Sequence, residues 1–178
     1  MLLPEGYAEV KMMYDIHGNM TKLSVFDTDK KLTLCKNGYA EIQIAYNMYN
    51  EVENEEFFDT LGQLIHKTQT VVFTAEIVSS SKAADLGVQV GDIWCHFDSY
   101  DILKSKTIFE VIEPIKNCDN KEKELIVARK DNNEYKILTF KFPVGHMGIR
   151  ASDMKISDAL ELQNVYRAYC EKKQAEKK

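Results

Sequence analysis

The sequence predicts an α+β protein in which N-terminal antiparallel β-hairpins form a small sheet and the later part combines strands with helices. Three observations predict this class. One segment, which begins at Gly6, recurs from Gly38 onward, and this indicates a duplicated unit. Apolar and polar residues alternate in short stretches, as they do in half-buried strands. Two later stretches space their apolar residues at helical intervals, and the length of 178 residues allows one large domain or two small ones.

Composition favours a folded protein and argues against several classes of function. Hydrophobic residues make up 44% of the chain, which is enough for a packed core. The net charge of −5 disfavours a nucleic-acid partner, because phosphate binding needs a clustered basic surface. The basic run at 172–178 is predicted to be a solvated tail. No apolar stretch approaches the roughly 18 residues of a membrane span, so we expect no membrane-spanning segment.

The N-terminus and the cysteines bear on location and chemistry. Met1-Leu2-Leu3-Pro4 is too short for the apolar core of a signal peptide, so we expect a cytoplasmic protein, with a trimmed secreted protein as the open alternative. The cysteines have no paired short spacing, and we expect reduced thiols, no metal and no cofactor. They are Cys35, Cys95, Cys118 and Cys170.

The repeat starts with a Gly-Tyr-Ala-Glu segment and continues through a Tyr-Asp or Tyr-Asn pair to a Phe-Asp-Thr segment. All three anchors keep the offset that relates Gly6 to Gly38, without a gap, so we predict two units, 6–37 and 38–66. The matched segments are 6–10 with 38–42, 14–15 with 46–47, and 26–28 with 58–60.

Each unit is predicted to be a β-hairpin. In the first, apolar residues alternate from Ala8 to Tyr14, the turn is His17-Gly18-Asn19, and the return strand runs over 21–26. A single hairpin is marginally stable, so we expect the two units to join edge to edge in one sheet. In the second unit Tyr49-Asn50 replaces the Gly-Asn turn, which indicates a degenerate terminal repeat of a once longer array.

The order Gly-Tyr-Ala, Tyr-Asp-x-x-Gly-Asn and Phe-Asp resembles the short Tyr-Asp and Gly-Tyr repeats that occur in arrays in bacterial proteins. The resemblance covers about residues 5–66. It implies a spacer or an adhesion surface rather than a catalyst.

After residue 70 the pattern changes to buried strands separated by short polar turns. The segment 71–78 is rich in β-branched residues and is predicted to be a buried strand. The serines at 79–81 can cap a short helix, which Gly87 ends in the left-handed conformation. Gly91-Asp92 is predicted to form a tight turn into a strand over 93–97.

This order, with A-A-x-x-G-V-x-V-G-D-I-W between two strands, resembles the central signature of PDZ domains. The resemblance implies a PDZ-like β-sandwich with two helices over residues 67–155, followed by a C-terminal helix and tail at 156–178. A predicted helix over 105–118 and a predicted hairpin of 125–129 with 135–142 fit the same order. PDZ domains bind a peptide as an added strand between a sheet edge and the longer helix, so the resemblance implies protein or peptide partners.

The resemblance also implies a glycine-bounded loop whose backbone N–H groups hold the terminal carboxylate of the peptide. No such loop precedes the strand at 71–78, but one follows the second hairpin, as in circularly permuted bacterial PDZ domains. The alternative for this segment is a plain glycine turn. The segment 149–154 is then the edge strand, and the apolar groove implies peptides with hydrophobic C-termini. The predicted peptide-binding residues are Gly145, His146, Met147, Gly148 and Ile149 in the loop, with Ile108, Ile112 and Ile115 on the helix.

The last segment, 156–176, is predicted to be a helix capped by Ser157. We expect its apolar face to dock on its own domain, with covering of the peptide groove and weak pairing with a second copy as alternatives. That face carries Leu160, Leu162, Val165, Tyr166 and Tyr169.

No established catalytic motif occurs in the sequence. The serines at 79–81, followed by Lys82, allow a Ser–Lys interpretation, but a helix cap explains them within the PDZ-like order. Asp98 and Asp101 flank a turn, and two carboxylates alone make a poor cation site. We therefore predict a non-enzymatic peptide-binding module. The alternative is a structural scaffold or spacer with a degenerate PDZ-like fold, which makes its contacts through the repeats.

Overall fold

A computed structural model describes residues 3–104, 108, 111, 122–143 and 146–176. The described residues form ten strands, mostly antiparallel, and two α-helices longer than one turn, so the predicted α+β class is confirmed. The chain divides into two compact units. The first unit contains residues 3–69 and 157–160, and the second contains 70–156 and 161–176. No helix in these described ranges is long and apolar enough to cross a membrane.

The first unit is an antiparallel meander in which each strand pairs with the next. Only residues 64–69 of its last strand belong to this unit. Residues 157–160 join the unit through a bridge between Lys67 and Asp158. The strands are β1 (Glu9–Tyr14), β2 (Met20–Phe26), β3 (Glu41–Tyr46), β4 (Val52–Phe58) and β5 (Leu64–Ile77).

The hairpins β1–β2 and β3–β4 have the same register. Glu9 lies opposite Phe26, and Glu41 lies opposite Phe58, so both members of the pair are displaced by the offset of the sequence repeat. A bulge precedes the last residue of β1 and again the last residue of β3. The backbone pairing of the two hairpins is therefore related by the same offset as their sequences.

The turns of the two hairpins also have the same hydrogen bonds, although their sequences differ. The Asp15 carboxylate accepts the N–H groups of the residues two and four positions later, and the Asn47 side chain does the same. Gly18 has φ +84°, and Asn50 at the equivalent position has φ +62°. Asparagine tolerates the left-handed conformation better than most residues, so the second turn keeps the hydrogen bonds and the positive φ of the first.

The second unit has the strand order β10-β5-β6-β8-β9, with β7 paired to β6. A 3-10 turn covers Ile102–Lys104. The helices are α1 (Lys82–Leu86) and α2 (Ala159–Ala175), and the strands are β6 (Ile93–Phe97), β7 (Tyr100–Asp101), β8 (Lys123–Asp131), β9 (Glu134–Phe142) and β10 (Ile149–Ile156).

A bulge in β6 explains how its side chains reach the core. The pairing with β8 shifts between Trp94 and His96, so Cys95 is the extra residue. Because of this shift Trp94 and Phe97 enter the same core, although they are three positions apart. The indole N–H of Trp94 donates to the hydroxyl of buried Thr74 at 2.9 Å. The other buried members of this core are Val72, Ala83, Val88, Ile102, Val111, Leu125, Val127 and Phe142.

The Gly-Asp turn before β6 is anchored by an ion pair that joins distant parts of the chain. Asp92 is buried, and its carboxylate accepts two hydrogen bonds from Arg129 on β8, at 2.7 and 2.8 Å. It also accepts the N–H of Gln89, while Arg129 donates to the carbonyl of Gly87. One arginine therefore ties the end of α1 and the start of β6 to β8.

The two predicted longer helices have different outcomes. Helix α2 begins at Ala159 and not at residue 156, because Ile156 is the buried last residue of β10. Its contacts hold it on β8 and β9: the Tyr169 hydroxyl lies 2.8 Å from the Thr139 hydroxyl, and Lys173 pairs with Glu124 at 3.0 Å. Of the predicted helix 105–118, two residues are described and both are helical; the rest, with Ile112 and Ile115, lies outside the described residues.

Candidate functional site

One side of strand β10 carries no paired strand within the part of the chain that the structure describes. The strand pairs with β5, and within the described ranges it pairs with no other strand. Ile149 and Ala151 are half-buried and pack against the core of the second unit, whereas Arg150 and Ser152 are exposed. An unpaired strand edge presents a row of backbone donors and acceptors to an incoming extended chain.

The loop before β10 is bonded to the start of α1. The carbonyl of Met147 accepts the N–H of Ala83 at 3.0 Å, and the carbonyl of Gly148 accepts the N–H of Val78 at 2.9 Å. Two successive loop carbonyls are thus fixed by the segment that joins β5 to α1. Gly145, the first residue of the predicted loop, lies outside the described residues.

Gly148 is required by packing within the fold. Its φ is +79°, and a Cβ atom at this position would lie 2.2 Å from the Cβ of Ser81. Ser81 cannot move away freely, because its hydroxyl accepts the N–H of Ala84 and caps α1. A larger residue at Gly148 therefore disturbs the fold whether or not the loop binds a carboxylate, and Gly148 is a poor position for testing that function.

The remaining predicted loop residues divide into a packed and an exposed group. Met147 and Ile149 are half-buried and contact the same core as Trp94 and Phe97. His146 is exposed. The structure therefore brings the loop, β10 and the core together and leaves His146 at the surface.

The helical residue Ile108 is joined to β10 by a side chain that the sequence analysis did not single out. The N–H of Ile108 donates to the Asp153 carboxylate at 2.8 Å, and the Ile108 side chain packs on the same core as Ile149. Aspartate is a favoured acceptor for N–H groups at the start of a helix. These two residues are 45 positions apart, so no local motif indicates their contact.

Charge around the open edge is mixed. Arg150 on β10 pairs with Glu76 on β5 at 3.0 Å, and both side chains are largely exposed. Lys155 is exposed further along β10. Exposed pairs of this kind contribute little to stability, and the edge carries no single sign of charge that would select a peptide.

The residues considered for catalysis or cation binding have structural partners. Ser81 caps α1, the Asp98 carboxylate accepts the N–H of Glu124 at 2.8 Å, and Asp101 pairs with Lys104 at 2.9 Å. Burial raises the pKa of the Cys95 thiol, so little of it is in the reactive thiolate form. The contacts of Ser81 and Asp98 give these two side chains a role in the fold.

Comparison of the chain with known protein families, curated proteins and solved structures finds no match.

Proposed function

We propose that the second unit is a non-enzymatic module that binds an extended peptide by adding it as a strand to β10. The observation that carries the proposal is the free side of β10, among the described strands, next to a loop fixed on α1. Backbone hydrogen bonds supply the affinity in this mode of binding, and pockets for alternate side chains supply the specificity.

The order of the elements supports a PDZ-like interpretation. Strand β9 leads into the loop, the loop leads into β10, and β10 pairs with β5. This is the order expected for a circularly permuted PDZ domain, in which the strand that precedes the loop in space comes last in sequence. The helical residue Ile108 donates its N–H to Asp153 of β10, which supports a helix next to this strand.

The chemistry of the surroundings favours a hydrophobic C-terminal residue as the ligand. Ile108, Met147 and Ile149 contact one core cluster from the helix, the loop and the strand. An apolar side chain between these elements would extend that core. The terminal carboxylate of such a peptide would meet the backbone of the loop that precedes Ile149, where N–H groups hold anions without a charged side chain.

The test is a fluorescence-polarisation screen of C-terminal peptide libraries against the full chain, with amidated peptides as the control. We expect micromolar binders that lose affinity on amidation. Binders that keep their affinity when amidated would sink the carboxylate loop. Absence of binding to a folded chain would sink peptide capture and favour the scaffold alternative, in which contacts run through the first unit.

Two further measurements test where and how the peptide binds. Ile149→Ala should weaken binding about fivefold or more, whereas Arg150→Ala on the same strand should leave it unchanged. N-methylation of successive peptide bonds should abolish binding at alternate positions only, because an added strand directs every second N–H to its partner. Equal loss at every position would contradict strand addition.

A further inference from the structure

Strand β1 in the first unit has an open edge with large apolar side chains. It pairs with β2 and, among the strands described, with no other. Met12, Met13 and Tyr14 on this strand are 49, 60 and 58% exposed. An exposed apolar edge strand is a template for pairing with another chain. This edge is distinct from β10, and the inference below does not depend on the proposed function.

In the second hairpin, the edge of β3 that is equivalent to the open edge of β1 is paired with a strand. Strand β3 occupies the position of β1, and β2 pairs with it antiparallel, with Leu23 opposite Ile42. The N–H of Val25 donates to the carbonyl of Ala40 at 3.0 Å. The equivalent residues of β1 lie one repeat earlier, and they are Ala8, Glu9, Val10 and Lys11 for Ala40, Glu41, Ile42 and Gln43.

Polar side chains complete the filled edge of β3. The Glu41 carboxylate accepts from the Ser24 hydroxyl at 2.9 Å and pairs with Lys22 at 2.8 Å. At the open edge, the equivalent Glu9 pairs with its own neighbour Lys11 at 3.7 Å, and that pair is largely exposed. The open edge therefore carries the same carboxylate as the filled edge, without a strand beside it.

The charge of Lys11 determines which kind of strand can pair with β1. In the filled edge Lys22 lies opposite Gln43. A strand with the charges of β2 would place its lysine opposite Lys11 on β1, and like charges directly opposite one another are destabilising. Strand β1 itself has the complementary pattern. If two copies of β1 run antiparallel about Val10, each Glu9 lies opposite a Lys11 of the other copy.

The backbone is compatible with this pairing. Alternate residues of a strand direct their N–H and C=O groups to opposite edges, and the carbonyl of Ala40 shows which parity faces outward. Val10 and Met12 on β1 have that parity, and so does the carbonyl of Ala8 just before it, whereas the N–H of Ala8 donates to the carbonyl of Phe26 on β2 at 2.7 Å. In the arrangement centred on Val10, Met12 of one copy lies opposite Ala8 of the other, which covers exposed apolar surface. A two-fold axis requires antiparallel strands, and this pairing is antiparallel.

We propose that β1 is a self-association edge, through which two copies of this chain pair over residues 8–12 about a two-fold axis at Val10. The contacts are an antiparallel ladder centred on Val10, two Glu9–Lys11 ion pairs between the copies, and the burial of Met12. Pro4 stands at the position of Lys36, whose N–H donates to the carbonyl of Glu5. Because proline has no N–H, a partner receives no hydrogen bond from this residue, and the proposed interface is confined to residues 8–12.

The test is sedimentation of the full chain over a wide concentration range with charge-swap variants. The wild type should show a concentration-dependent monomer–dimer equilibrium. Glu9→Lys and Lys11→Glu should each weaken dimerisation about tenfold or more, because each places two like-charged pairs across the axis. The double variant should restore it, and an equimolar mixture of the single variants should form heterodimers. A wild type that stays monomeric, or single variants that dimerise like the wild type, would overturn the proposal.

A cross-linking experiment fixes the register and separates this edge from other surfaces. The two Val10 residues would face each other at about 5.5 Å between Cα atoms, so Val10→Cys should form an intermolecular disulfide under mild oxidation. Met13→Cys is the matched control, since the same register separates the two copies of this exposed residue by about 20 Å. The wild type under the same conditions reports cross-linking through its own cysteines. Equal cross-linking of all three proteins would overturn the proposed register.

Discussion

The two units of the molecule fix their turns in different ways. In the first, each hairpin turn is held by a side chain within the turn itself: the Asp59 carboxylate accepts the N–H groups of Leu61 and Gln63. In the second, two turns depend also on residues far away in sequence: Arg129 bonds to Asp92, and Ser81 lies against Gly148. A turn that is held by its own side chain keeps its conformation when residues elsewhere are changed. A turn that is held by residues distant in sequence depends on several elements of the fold. The two kinds of turn should therefore differ in how much a single substitution costs.

The largest effect is expected at Asp92. Asp92→Ala should lower the free energy of unfolding by about 3–5 kcal/mol, because it leaves Arg129 without its carboxylate and the N–H of Gln89 without an acceptor. Urea unfolding of the full chain measures this change. Asp131→Ala, which removes an exposed partner of Lys136 from the same strand as Arg129, is the control and should be indistinguishable from wild type. Equal stability of both variants would show that the distant anchor is unimportant.

The next prediction compares the cost of a close contact with the cost of a left-handed backbone conformation alone. Gly148→Ala should destabilise by about 3 kcal/mol, since it combines a left-handed φ with a contact of 2.2 Å to Ser81. Gly62→Ala in the first unit has φ +76° and no neighbouring atom within 4 Å, so it should cost about 1 kcal/mol. Thermal unfolding compares the two variants. Adding Ser81→Gly should recover part of the loss at Gly148 and nothing at Gly62, and failure of this rescue would contradict the packing argument.

A smaller effect is expected for a locally closed turn. Asp59→Ala removes the acceptor for two N–H groups and should cost about 1 kcal/mol. Asp59→Asn keeps the side-chain oxygen and should cost much less, as Asn47 performs this role in another turn. Urea unfolding again measures both. A loss at Asp59→Ala as large as that at Asp92→Ala would remove the distinction between the units.

The smallest effect is a pH dependence within the first unit. Burial raises the pKa of Glu41, but hydrogen bonds from Lys22, Gln43 and Ser24 outweigh it, and the net pKa is lowered from 4.5. A carboxylate with a depressed folded pKa stabilises the fold above its unfolded pKa, and this contribution is lost as pH falls through the folded value. The difference in melting temperature between wild type and Glu41→Gln should thus be present at pH 7 and shrink below about pH 4.5. A difference that is constant between pH 7 and 3 would contradict this assignment.

The same contrast explains what could be predicted from the sequence. The hairpins were predictable because their signals are local: alternating side chains, an Asp or Asn at the start of each turn, and a constant repeat offset that the strand registers share. The cap by Ser81 and the end of α1 at Gly87 were predictable for the same reason. The different residues of the second turn, Tyr49-Asn50, did not indicate that its hydrogen bonds match those of the first.

The long-range contacts could not be predicted. Asp92 and Arg129 are 37 positions apart, and Asp153 and Ile108 are 45 apart, so nothing within a sequence window connects them. The start of α2 was misplaced because Ile156 fits a helical apolar stripe as well as a buried strand. An apolar residue such as Ile156 predicts that its position is buried, but not whether it belongs to a helix or a strand. Here the pairing of β10 with β5 makes it part of a strand. The glycines at 145 and 148 are the local signal on which the predicted loop rests, whereas the close approach of Gly148 to Ser81 required the tertiary structure.

The residues at the tips of the hairpin turns are not the residues that shape those turns. Ile16, Met48 and Leu61 are 95, 86 and 79% exposed, while the residues that shape each turn are an Asp or Asn at its start and a Gly or Asn three positions later. The residues that shape the turn are therefore of the same types in each hairpin, whereas the exposed residues between them differ. Foreign loop sequences grafted between those framing residues should be displayed without loss of the sheet, and evolution can diversify the same positions at equally low cost.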